Sequence, residues 1–165
     1  MTIASVTGGD IIDPVWGNSV ADSLNASVEA PWTSFTATWS GLTLGNATQD
    51  AAYRYTPGRL QFRGYLTFGS TTAITTGGVK ITLPDSATVS LAAFAPYQPL
   101  GQATLRDNGS NTILGSIQYA SSTQVAVQAW KISGSYIVTG NITASVPMTW
   151  IAGDSILFDV SVPQS

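Results

Sequence analysis

The chain has 165 residues, enough for one domain with a sizeable core, and 44% of them are hydrophobic. Only 9% are charged and the net charge is −3, so the surface must be built from Ser, Thr, Asn, Gln and Gly rather than from ionisable groups. Without His or Cys the sequence excludes a Ser-His-Asp triad, a Cys-His pair, disulfides and imidazole or thiolate metal sites.

Near the start, Asp13-Pro14 reads as an N-cap followed by proline at the first helical position. Trp16, Val20 and Leu24 follow at a spacing of four, with Ile12 and Val28 extending the row. A short helix is therefore expected, ending at 25–27 before Pro31. A helix of about 12 residues is marginal by itself and needs a surface for its narrow apolar row. Docking on its own domain and packing on a symmetry mate both satisfy that need; the second makes Trp16, Val20 and Leu24 an assembly device.

From residue 32 the hydrophobic pattern has period two. Leu60, Phe62, Leu66 and Phe68 fall on one face of a strand, with Gly64 among them, and Arg59, Gln61, Arg63, Tyr65 and Thr67 on the other. The glycine on the apolar face implies a bend or the close approach of a bulky neighbour. Val79, Ile81 and Leu83 alternate up to Pro84, and Ala103 and Leu105 lead to the hairpin signal Asn108-Gly109. Ile113, Gly115, Ile117 and Tyr119 return from it, then Val125, Val127 and Ala129. Trp130 and Ile132 fall out of phase, which implies a bulge or side chains aimed outward. Ile137 and residues 142–146 make another piece, and Ala152-Gly153-Asp154 turns the chain into Ile156, Phe158, Val160 and Val162.

This pattern predicts an all-β fold: an antiparallel, jelly-roll-like β-sandwich of eight or nine strands, preceded by one short N-terminal helix. Residues 1–31 are read as an N-terminal arm and helix for assembly or anchoring, and residues 32–165 as the β-sandwich domain.

The six Lys and Arg residues, at 54, 59, 63, 80, 106 and 131, form no run that could follow a phosphate backbone, so no nucleic-acid partner is expected. No apolar stretch of about 18 residues exists, so no membrane insertion is expected. The first ten residues lack a basic and then apolar pattern, so no secretory signal is expected. Catalysis would have to rest on two of nine acids. Asp13 reads as a cap, Asp22 as solvated, Asp107 and Asp154 as turn residues, Asp50 and Asp85 as loop neighbours, and Asp159 as the outward face of a strand. The chain is therefore read as a non-enzyme that needs no cofactor. Aromatic residues out of core phase (Tyr65, Tyr97, Trp130 and Tyr136) are the candidates for ligand contact, Tyr97, Trp130 and Tyr136 above all. Packing in a sheet or a subunit interface accounts for the same residues.

Several stretches resemble one family. Trp32–Asn46 (WTSFTATWSGLTLGN), Tyr53-Arg54-Tyr55 before an alternating strand, Leu66–Thr72 (LTFGSTT), Pro99–Asp107 (PLGQATLRD) and Val146–Phe158 (VPMTWIAGDSILF) are similar, in order and spacing, to C-terminal β-sandwich domains of minor tail proteins from actinobacterial phages. Ile12–Val20 (IDPVWGNSV) is similar to a segment that leads into such domains. The resemblance implies a structural subunit on the outer surface of a virion, a homotrimer at a tail tip or fibre. Its implied partners are other copies of itself, other virion proteins and a host cell-surface glycan. The short segment before the β domain leaves a second role open, a capsid decoration protein that grips the shell through its N-terminal segment. A monomeric carbohydrate-binding module and a polysaccharide hydrolase are the readings of other classes.

Overall fold

The computed structural model describes residues 19–20, 30–75, 78–89, 98–109 and 111–164. The chain divides into two compact units, Met1–Ala30 and Pro31–Ser165. Of the first unit, Ser19 and Val20 are helical; the rest of the expected helix, with Trp16 and Leu24, lies outside the described residues.

The second unit is all-β and antiparallel. Its strands are β1 (Thr33–Phe35), β2 (Trp39–Ser40), β3 (Leu42–Thr43), β4 (Thr48–Thr56), β5 (Arg59–Thr67), β6 (Ala73–Ile74), β7 (Lys80–Thr82), β8 (Pro99–Arg106), β9 (Thr112–Ser121), β10 (Gln124–Ser133), β11 (Tyr136–Asn141) and β12 (Ser155–Pro163). Among the described residues, twelve segments replace the eight or nine expected because five of them are only two or three residues long. That is too short for alternation to register in a sequence. Ten strands form one sheet in the order β1-β4-β5-β12-β8-β9-β10-β7-β2, with β11 added to β10; β3 and β6 pair separately.

The two ends of that order are neighbours in the chain. Only residues 36–38 separate β1 from β2, a span of at most about 14 Å, so the sheet must curl until its edges approach. Two contacts close the curl. The Trp39 indole N–H donates to Gln49 Oε1 at 2.7 Å, which ties β2 to β4. The Trp39 ring also meets Phe158 of β12 edge-on, centroids 5.7 Å apart at 77°. Inside the curl lie Leu60, Phe62, Leu66 and Phe68 from β5 and its end, and Ile156, Phe158, Val160 and Val162 from β12. Val125, Val127 and Ala129 of β10 and Val79, Ile81 and Leu83 around β7 complete it, all buried. These are the residues that the period-two pattern placed on the inner face. Each of the larger ones contributes about 1.5–3 kcal/mol by leaving water.

Gly64 interrupts the inner row of β5 for a steric reason. A Cβ there would press on the Asp50 carbonyl and stand 2.7 Å from Ala51 Cβ and 2.8 Å from Phe158 Cζ. The bulky neighbour implied by the sequence is the Phe158 ring. Two turns meet at one end of the sheet. Asp154 is wholly buried; its carboxylate accepts the Asn108 N–H at 2.9 Å and the Ile151 N–H at 2.7 Å. Gly153 sits at φ 94° with Asn108 packed where a side chain would project, and its N–H donates to Phe68 O at 2.8 Å.

Candidate functional site: an exposed apolar hairpin

The strand β10 runs without a break through the point where its sequence leaves phase. The irregularity in its pairing with β9 lies earlier, between Gln124 and Val125. What changes after Ala129 is the surroundings: residues 124–129 lie over the core, whereas 130–133 are exposed throughout. The partner on the far edge has already changed, from β7 up to Ala126 to β11 from Gln128, and the pairing with β9 ends at Ala129. The β10–β11 hairpin therefore projects beyond the packed body as an arm. Gly134, at φ 61°, closes its tip.

Register decides which side chains share a face. Trp130 pairs with Thr139 and Ile132 with Ile137, so all four lie on one face of the arm. On the neighbouring strand Gly115 pairs with Ala129, which places Leu114 beside Trp130 on that same face. Leu114, Ile132 and Ile137 are 57%, 81% and 73% exposed, and Trp130 is 44% exposed. Trp130 and Ile137 border two shallow hollows. One, of about 500 Å³, also includes Pro99, Ser116, Gln118 and Thr139; the other, of about 260 Å³, includes Leu114 and Ile132.

Comparisons with protein-family models, curated proteins and solved structures found no match.

Two of the aromatic candidates from the sequence, Trp130 and Tyr136, do not converge. Trp130 and Tyr136 are both exposed, but alternation along β11 puts Tyr136, paired with Ser133, on the opposite face of the arm. Tyr97 lies outside the described residues. The residues that join Trp130 are instead Leu114, Ile132 and Ile137. Ile132 carried a signal, since it is out of phase together with Trp130. Leu114 carried one as well, because it stands between the inward positions 113 and 115.

Electrostatically the arm is nearly silent. Lys131 is its one ionisable cation, and its side chain lies across Gly140 on the face away from Trp130. No three His, Cys, Asp or Glu side chains cluster among the described residues. No helix among them is long and apolar enough to cross a membrane. Asp85 accepts the Tyr55 hydroxyl at 3.2 Å, while Asp154 serves the turns described above. The arrangement around Trp130 offers apolar area and a strand edge, and no group positioned to move a proton.

Proposed function

We propose that this chain is a structural subunit that associates with copies of itself through the apolar face of the β10–β11 arm. The observation that carries the proposal is the row Leu114, Trp130, Ile132 and Ile137, left exposed on a protein with few surface charges. Together these side chains present on the order of 500 Å² of apolar surface, at the upper end of what a monomer leaves uncovered. A stable interface takes roughly 800 Å² per partner, and the arm supplies more than half of it. The low charge supports the same reading, because little electrostatic repulsion opposes association.

The finer assignments follow the sequence resemblance. The curled sheet is a jelly-roll-like sandwich, the oligomer is a homotrimer, and its place is the outer surface of a phage virion, at a tail tip or fibre, without enzymatic activity.

Light scattering coupled to size exclusion tests the assembly. The native chain at micromolar concentration is expected to run as a trimer. Ile132→Asp places a charge in the row and removes about 2 kcal/mol per contact, weakening each contact roughly 30-fold, and is expected to run as a monomer with unchanged circular dichroism. A native chain that is monomeric at tens of micromolar overturns the proposal.

A further inference from the structure

On the outer face of β4, β5, β12 and β8, far in sequence from the arm, the register aligns two rows of side chains. Asp50, Tyr65, Leu157 and Thr104 form one row across the four strands; Ala52, Arg63, Asp159 and Gln102 form the next. The rows lie about 7 Å apart along the strands, and four strands span about 14 Å. Between them runs an open groove of about 510 Å³ that all eight residues line. Its size falls within the roughly 300–1,000 Å³ of small-ligand sites. A second hollow continues it past Gln102 and Asp159 to Gly101 and Ser161.

The chemistry of the lining is mixed. Arg63 and Asp159 are direct cross-strand partners, yet the guanidinium does not close on the carboxylate. It lies over the Trp32 ring instead, its central carbon 4.2 Å from the centroid, with Arg54 against the same ring at 4.6 Å. Such stacking is worth about 0.5–1 kcal/mol at an exposed site and holds the guanidinium in place. Among the described residues, neither the Asp50 nor the Asp159 carboxylate is engaged in an ion pair or side-chain hydrogen bond. The groove thus offers two free carboxylate acceptors, a fixed fork of donors, an amide and a hydroxyl, beside the 42%-exposed ring of Tyr65 and the 40%-exposed Leu157.

We infer that this groove binds a neutral saccharide of two or three pyranose rings. The two carboxylates disfavour an anion, and Arg63, which lines the groove with them, offsets part of their pull on a cation. A polyhydroxylated ring satisfies both signs, since each hydroxyl donates to a carboxylate or accepts from Arg63. Its C–H face covers Tyr65 and Leu157. The continuation past Gly101 accommodates an extended chain rather than a single sugar. The site shares no residue with the assembly arm.

Titration of the full native chain with maltose, lactose, cellobiose and chitobiose, followed by amide chemical shifts, tests this. At least one probe is expected to bind with a Kd of about 1 mM or tighter and to shift the amides of Asp50, Tyr65, Gln102 and Asp159. Tyr65→Ala and Asp159→Asn, both at exposed positions, are expected to weaken binding at least about tenfold with unchanged dispersion of the other amides, a loss of about 1.4 kcal/mol or more. Ile132→Asp is expected to bind like the native chain, which separates this site from the assembly reading. No shift with any probe at about 20 mM, well above that Kd, or the same affinity in Tyr65→Ala, overturns the inference.

Discussion

Replacement of Asp154 by Ala tests the junction where two turns of the sheet meet. The carboxylate is inaccessible to solvent and accepts two backbone N–H groups, from Asn108, 46 positions earlier in the chain, and from Ile151, three positions earlier. A hydrogen bond to a charged group contributes about 1.5–3 kcal/mol net. Asn108 and Ile151 are themselves exposed, so water can reach their amides once the carboxylate is gone, and the cost falls near the lower bound for each. Asp154→Ala is therefore expected to lose about 3–4 kcal/mol, a large share of the 5–15 kcal/mol that holds a typical domain folded. Asp154→Asn keeps the shape and one acceptor but turns an NH₂ toward one of the two N–H donors, so it should lose about half as much. Urea unfolding followed by tryptophan fluorescence reads the difference, aided by Trp150, which stacks on Phe68 beside this junction at 4.7 Å. With an m value of about 2 kcal/mol/M, the Ala variant should shift the midpoint down by about 1.5–2 M and the Asn variant by about 0.8–1 M. A shift below about 0.5 M for Ala, or equal shifts for the two variants, would refute the reasoning.

Two further substitutions probe the packing and the titration of the sheet. Gly64→Ala forces a methyl against Phe158 and the Asp50 carbonyl and is expected to cost about 1–3 kcal/mol in the same unfolding assay; a neutral result would mean that β5 and β12 can separate at that point. Burial first, and then the hydrogen bond and charge of Asp85, raise the Tyr55 phenol above its ordinary value. A raised phenol contributes stability that is intact below about pH 10 and is lost as pH climbs through the folded value. Melting temperature should therefore fall more steeply above that pH in the native chain than in Tyr55→Phe; parallel curves would contradict it.

What a residue touches within its own strand was legible before the fold was known, because alternation is a local property. Leu60, Phe62, Leu66 and Phe68 stand inside, Trp130 and Ile132 outside, and the Phe158 ring at Gly64 is the bulky neighbour that the glycine implied. What lies beside a residue on the next strand was not legible, because it depends on strand order. Asp50 read as a loop neighbour and Asp159 as the outward face of a strand, with no link between them, since nothing in the chain states that β4, β5, β12 and β8 are consecutive in the sheet. Only that order brings positions 50, 65, 102 and 159 to one groove. The same limit hid the closure of the curl by β1 and β2, which are too short to show a period; Asp154 stands in the turn where it was read, but its burial and its bond to the Asn108 N–H depend on a neighbouring turn. The apolar arm lies between these cases. Its out-of-phase residues mark it in the sequence, but only the register separates Trp130 from Tyr136 and sets Leu114, Ile132 and Ile137 beside it instead. A substitution at Ile132 and one at Tyr65 therefore interrogate different kinds of information: the first a local departure from period two, the second a juxtaposition that exists only once the sheet has formed.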